Sequence, residues 1–298
     1  MNKSILNLQD AGKMLPIRNQ WSNKGSFGKI LLVCGSKNMV GCCVLAAKGA
    51  LRSGAGLVKL AFPDVLYNSL TTHLSEPVFM PLESDDNGFI NYTEVSHVLD
   101  EAEKSDVVMI GCGIGVGYAQ SLLVTSLIEL VEKPIIIDAD GLNNLAMCPN
   151  ILKKAKGNVL LTPHPGEMAR LMKTDVSTVE SDREGAIKEF CEKYNANVLL
   201  KGHETLICNR ECSSMYLNKS GNSALAKGGS GDLLSGIIAG LTPSMNGDVF
   251  KVGALGAYVH GLCADVLKSD FSEYSILPSD CADALLTVYK IIEESGKD

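Results

Sequence analysis

Apolar runs alternate with polar, glycine-bearing breaks along most of the chain, and that alternation predicts repeated strand–helix units. Residues 29–33 read as a buried strand ending in Cys34-Gly35-Ser36. Val44, Leu45, Ala46, Ala47, Ala50 and Leu51 then mark an apolar helix whose small residues suggest close packing on a sheet; it stops at Ser53-Gly54-Ala55-Gly56. Residues 57–62 form a second strand, closed by Pro63. The same logic predicts strands over 106–110, 134–138, 158–161 and 197–200. Helices are expected over 94–104, 118–131, 141–147, 165–172, 177–194, 249–268 and 279–295. Two short strands, 205–208 and 214–217, are separated by polar turn residues and predict an antiparallel hairpin. Residues 1–28 read as a polar lead-in.

Strands alternating with helices imply right-handed βαβ units and a parallel sheet covered on both faces. No linker, repeat or change of composition divides residues 1–298. The expectation is therefore one domain of the α/β class, a three-layer α/β/α sandwich with a mostly parallel central sheet and a small antiparallel hairpin.

Composition narrows this picture only a little. The chain has 46% hydrophobic residues, and its net charge of −7 without a basic run argues against a nucleic-acid partner. The uncharged stretch 107–128 carries Gly111, Gly113, Gly115 and Gly117 and then Tyr118, Gln120 and Ser121, so a strand, a loop and a helix account for it better than a membrane span. Ten cysteines lie scattered without a Cys-x-x-Cys pair, several in apolar surroundings. Buried free thiols and an opening segment without the apolar run of a secretory signal set the expectation of a cytoplasmic protein.

The candidate chemistry sits where predicted strands end, the edge at which open parallel sheets bind ligands. Lys227-Gly228-Gly229-Ser230-Gly231-Asp232 leads directly into a helical segment marked by Leu233, Leu234, Ile237, Ile238 and Leu241. A glycine-rich turn exposes consecutive backbone N–H groups, and the helix behind it leaves its first N–H groups unpaired, so the two together suit an anion such as phosphate. Asp232 is then either a helix-start device or a catalytic carboxylate facing a transferred phosphoryl group. Residues 111–117 follow a strand and open a helix but fail the dinucleotide fingerprint, because Tyr118 and Val116 stand where glycine is required. That loop either lets a ligand approach the backbone or is a plain tight turn.

Three further strand ends carry polar groups. In Asp138-Ala139-Asp140-Gly141-Leu142-Asn143, Asp140 reads as a helix N-cap, whereas Asp138 could bind a ligand hydroxyl or Mg²⁺ through water. Thr162-Pro163-His164-Pro165-Gly166-Glu167 pins His164 between two prolines, with Pro165 and Glu167 suited to a first helical turn. In Lys201-Gly202-His203-Glu204-Thr205, the lysine can meet phosphate and Gly202 permits close backbone approach; a solvated hairpin turn is the alternative.

In order along the chain, these stretches resemble the ADP-dependent NAD(P)H-hydrate dehydratases of the ribokinase-like superfamily. The resemblance is carried by Gly35-Ser36 with Gly41, residues 51–56, 138–143, 161–167, Lys201-Gly202 and 222–232. It implies dehydration of the S epimer of NADHX or NADPHX to the reduced cofactor, with ADP as co-substrate and Mg²⁺, releasing AMP and phosphate. It further implies Asp232 as the catalytic base and Gly229, Ser230 and Gly231 as an anion hole. Lys201, Gly202, His203, Glu204, Thr205 and Gly231 would contact the nucleotide. Cys42 or Cys43, Gly115, His164 and Asp232 would contact the hydrate, and Asp138, Asn143 and Gly113 would support them. No side chain is assigned to a resident metal. A homo-oligomer, a tetramer by resemblance, is implied as well. The chain departs from the family where Cys42 or Cys43 replaces a usual alanine, and where Asn23 replaces a usual histidine. The competing readings are an ordinary kinase of a small alcohol and a non-catalytic nucleotide-binding protein.

Overall fold

The computed structural model describes residues 2–297. In chain order the first half comprises β1 (Asn2–Ile5), α1 (Leu8–Met14), β2 (Lys29–Val33), α2 (Val40–Arg52), β3 (Leu57–Pro63), α3 (Tyr67–Leu70), β4 (Val78–Leu82), α4 (Val95–Glu103), β5 (Val107–Ile110), α5 (Tyr118–Leu130), β6 (Ile135–Ile137) and α6 (Asp140–Leu145). There follow β7 (Val159–Leu161), α7 (Pro165–Met172), α8 (Val176–Ser181), α9 (Arg183–Tyr194), β8 (Asn197–Leu200), β9 (Thr205–Cys208), β10 (Ser214–Asn218), α10 (Ser230–Leu241), α11 (Val249–Leu267) and α12 (Pro278–Ser295).

The strands form one ten-stranded sheet in the order β1-β10-β9-β8-β7-β6-β5-β2-β3-β4. Only β9 runs against its neighbours. Because side chains alternate across a strand, each central strand feeds two cores. In β2, Ile30 and Leu32 face the layer containing α2, α10, α11 and α12, whereas Leu31 and Val33 face the layer containing α4, α5, α6, α7 and α9. Both faces are buried, which is why these strands read as continuous apolar runs. The long apolar helix α11 lies in the first core, with most of its residues buried within the fold.

Three expectations are corrected. Residues 1–28 are more than a lead-in: β1 adds an exposed edge strand to β10, and α1 packs on α12 so closely that a methyl group on Gly12 would meet the Gly296 nitrogen at 2.6 Å. Strand β4 escaped prediction because Pro81 interrupts it, which an edge strand tolerates. The helix expected over 177–194 breaks at Asp182, which leaves helical geometry and caps α9 by accepting from the Gly185 amide at 2.8 Å.

The small residues of α2 also serve a different contact from the one expected. They bring the α2 backbone against α10: a methyl group on Gly236 would lie 2.2 Å from the Ala46 carbonyl, and one on Gly240 2.5 Å from that of Ala50. This seats α10 over β5 and β6 with its amino end at the carboxyl edge of the sheet.

Candidate active site

The carboxyl ends of β2, β5, β6, β7 and β8 converge on the amino end of α10. There Gly229 adopts φ +98°, the left-handed region that glycine occupies at little cost, and turns the chain into the helix. The amides of Gly229, Gly231 and Asp232 have no protein acceptor among the described residues. The Ser230 hydroxyl is buried and also unpaired. Unpaired donors in one turn, at the positive end of a helix dipole, form a site for an anion. Lys227 does not face that site. Its ammonium donates to the Glu273, Tyr274 and Ile276 carbonyls, tying the turn to the segment before α12.

Asp232 occupies the first turn of α10 and is half-buried. Burial pushes its carboxyl up to about 6; the nearby Cys112 thiol works against that rise, and the negative charge of Asp138 adds to it. A helix-start carboxylate would be solvated and stabilised by the dipole. This one is partly desolvated, with Asp138 and Asp140 pushing it up against the opposing charge of Lys201, a setting that suits a base.

Beside it stands a buried pair. Lys201 Nζ lies 2.7 Å from Asp138 Oδ1 and 3.8 Å from Glu167 Oε2. Asp138 is 1% exposed; its second oxygen accepts from the Ser235 hydroxyl at 2.7 Å, with the Cys112 thiol at 3.8 Å. Burial alone would raise the Asp138 carboxyl, but the Lys201 ammonium outweighs it and holds the group below its ordinary value. Asp138 therefore has little left for a ligand hydroxyl or a water-bridged metal. Its place is to position Lys201, whose ammonium would stand 3.4 Å from a methyl group placed on Gly231.

The segment 201–205 is not an ordinary solvated turn. Arg183, at the start of α9, donates to the carbonyls of Leu200 (3.1 Å), Lys201 (3.4 Å), His203 (2.5 Å) and Glu204 (3.3 Å). Gly202 at φ +143° and Glu204 at φ +56° let the backbone bend round that guanidinium. His203 and Glu204 point outward, and the Thr205 hydroxyl closes onto the Gly202 carbonyl at 3.0 Å.

His164 is the N-cap of α7. Its Nδ1 accepts from the Gly166 and Glu167 amides at 3.0 and 3.3 Å, and the Glu167 carboxylate in turn accepts from the His164 amide at 2.8 Å. Because Nδ1 accepts, the ring proton sits on Nε2, which lies 3.5 Å from Glu167 Oε1 on a half-exposed ring. The histidine is both structural and presented at the strand mouth.

Asp140 does not cap α6. Ala139 takes the N-cap position, and the Asp140 carboxylate reaches back to the glycine loop, accepting from the Gly115 amide at 2.9 Å and from Asn143 Nδ2 at 3.2 Å. Asn144 completes the clasp, donating to the Gly115 carbonyl at 2.8 Å and accepting from the Gly117 amide at 3.2 Å. Gly115 itself, at φ +79°, has the Phe89 ring where a side chain would go. Asn143 is turned outward to Arg170, whose Nη1 donates to it at 2.8 Å.

Of the two candidate cysteines, Cys42 is the one beside the glycine loop. Its thiol donates to the Met39 and Cys112 carbonyls and would touch a methyl group on Gly113 at 2.7 Å; the Cys43 sulfur turns away towards Gly35. Asn23 lies elsewhere. It caps the short turn Lys24–Phe27 before β2, at the amino edge of the sheet and so across it from Asp232.

The residues that sequence reasoning missed are Cys112, Ser235, Arg183 and Asn144. Each acts through a partner distant in sequence, and no local pattern announces that.

Residues 30–286 match the family model described as NAD(P)H-hydrate dehydratase. The ADP-dependent (S)-NAD(P)H-hydrate dehydratase of Neisseria meningitidis is 37% identical over 255 residues, 84% of this chain and 81% of that protein. The bifunctional NAD(P)H-hydrate repair enzyme of Moorella thermoacetica is 36% identical over 296 residues, which are 98% of this chain and 55% of that one. The chain thus spans about half the length of the bifunctional relatives it matches. Among solved structures, the ADP/ATP-dependent NAD(P)H-hydrate dehydratase of Bacillus subtilis, co-crystallised with ATP/Mg²⁺, superposes with a TM-score of 0.84 at 29% identity, covering 98% of this chain and all of that one. The layered fold is ribokinase-like.

Proposed function

Since the chain belongs to the NAD(P)H-hydrate dehydratase family, we propose that it restores NADH and NADPH from the S epimers of NADHX and NADPHX, cleaving ADP to AMP and phosphate. The observation that carries this reading is the pairing of a desolvated Asp232 with unpaired amides in the same turn. Hydroxide is a poor leaving group, whereas phosphate is a good one. Asp232 takes the proton of the ring hydroxyl, and the freed oxygen attacks the terminal phosphorus of ADP, releasing AMP. The amides of Gly229, Gly231 and Asp232 and the Lys201 ammonium hold the charge on the moving phosphoryl group. The ring nitrogen's lone pair then expels phosphate, and loss of a proton from the adjacent carbon restores the dihydronicotinamide.

Magnesium fits this site as part of a metal–nucleotide complex. Asp138 is committed to Lys201 and Ser235, and Asp140 to Gly115 and Asn143, which leaves Asp232 and the nucleotide's own phosphate oxygens as donors. When bound, the ion would neutralise phosphate charge. Ile17, Trp21, Tyr118 and Tyr274 are at least 77% exposed, apolar surface that assembly into a homo-oligomer, a tetramer in our reading, would cover. Ten free cysteines agree with a cytoplasmic location.

The test is incubation with NADHX and ADP, and separately with NADHX and ATP, following nicotinamide absorbance and released phosphate. Recovery of absorbance with one phosphate per NADH supports dehydration. A phosphorylated product that accumulates without such recovery indicates an alcohol kinase instead. Nucleotide binding with no turnover indicates a binding protein.

A further inference from the structure

A second cluster of reactive side chains lies away from the active site. Cys191 in α9, Cys208 at the end of β9 and Cys212 in the turn between β9 and β10 place their sulfurs within 4.8 Å of one another. Cys208 is paired with Val198, near the start of β8, whereas Lys201 follows that strand's other end. The cluster therefore sits at the opposite edge of the sheet from Asp232.

We propose that Cys191, Cys208 and Cys212 bind one thiophilic divalent cation of the zinc class. Three thiols from three separate elements converge, held meanwhile by weak thiol bonds alone: Cys212 Sγ to the Lys188 carbonyl at 3.4 Å, Cys208 Sγ to the Asn209 carbonyl at 3.5 Å, and, at the limit of such a contact, Cys191 Sγ to the Cys208 carbonyl at 4.0 Å. Cys212 holds φ +52°, a conformation more usual for glycine or asparagine, and in doing so aims a sulfur at the other two. Zinc–sulfur bonds of about 2.3 Å set sulfurs about 3.8 Å apart, so rotamer adjustment of about 1 Å closes the site. Cys191 and Cys208 are buried, while Cys212 is half-buried and gives the ion a route in and a fourth position for water. Soft thiolate ligands select zinc-like ions over magnesium or calcium.

Binding exchanges protons for metal: three thiols release three protons as the divalent ion is taken up, leaving a complex with one net negative charge. The charge of Lys188 acts on Cys208 in the sense that offsets it, against the opposing charge of Glu192. The ion would fasten α9 to the β9–β10 hairpin, and α9 carries Arg183, the residue that shapes segment 201–205.

The experiment titrates the reduced protein with Cd²⁺ and reads thiolate-to-metal ultraviolet absorption. The expected result is saturation at one ion per chain, retained in Cys148→Ser, an exposed cysteine outside the cluster. Cys208→Ser and Cys212→Gly should bind more than about ten-fold more weakly. Cys212→Gly is the decisive variant, since glycine suits that backbone and the fold persists. Zn²⁺ should raise the Tm of the wild type and leave Cys212→Gly unchanged. Absence of the absorption at one equivalent, or equal absorption in Cys212→Gly, would overturn the proposal.

Discussion

Two glycine-rich loops at the carboxyl edge look alike in sequence and differ in their partners. In residues 111–117, the amides of Gly111, Gly115 and Gly117 donate internally, to Val33, Asp140 and Asn144. In residues 229–232, three amides and a buried hydroxyl stay unpaired. The first loop is therefore a shaped wall, fixed by the helix behind it. The second keeps its donors free, as the anion site we propose there requires. Glycine content predicts neither outcome; the side chains of α6 decide it.

The largest expected effect comes from the open turn. Asp232→Asn should lower the rate of NADH recovery by about 10²–10⁴-fold while ADP binding, measured by calorimetry, stays near wild type. The same variant should be more stable at neutral pH. The folded-state carboxyl binds its proton more tightly than the unfolded one, so its stabilising contribution is complete below about pH 4 and is lost as pH rises through about 6. The ionised group then costs up to about 3 kcal/mol, which urea unfolding of the variant would reveal. A variant less stable than wild type at pH 7 would contradict the partly desolvated, ionised carboxylate.

Next in size is Lys201→Met, which strands the Asp138 carboxylate without its partner. Losing one member of a buried pair costs about 3–5 kcal/mol, so a marked fall in Tm should accompany the loss of activity. Asp140→Ala would leave the Gly115 amide without its acceptor. It should cost about 1–3 kcal/mol in stability and raise KM for the hydrate, with nucleotide affinity little changed. A change confined to nucleotide affinity would reverse the roles given to the two loops. The mildest effect expected is on the pH profile, where kcat/KM should fall as pH drops through about 6 and Asp232 takes up a proton.

Much of this architecture was legible in the chain. Doubly buried strands such as Ile135–Ile137 announce themselves as apolar runs, and α10 by its helical spacing of leucine and isoleucine. Strand β1, fully exposed, and β4, interrupted by Pro81, carry no such signal and exist because neighbouring strands offer unpaired edges. At the site, Asp232 and Lys201 were readable as candidates from their place at strand and helix ends. The roles of Asp138 and Asp140 were not: one holds Lys201 and the other holds Gly115, across 63 and 25 residues of chain. Arg183 shows the same limit, as an ordinary helix-start residue until the fold brings four carbonyls to its guanidinium.

The most direct measurement follows the oxygen that leaves. NADHX carrying a heavy oxygen isotope in its ring hydroxyl is turned over with unlabelled ADP, and the released phosphate is analysed by mass spectrometry. Phosphorylation at the open turn predicts the label in inorganic phosphate. Label found in water, with unlabelled phosphate, would mean that hydroxide leaves directly and that Asp232 and its amides do not perform the transfer assigned to them.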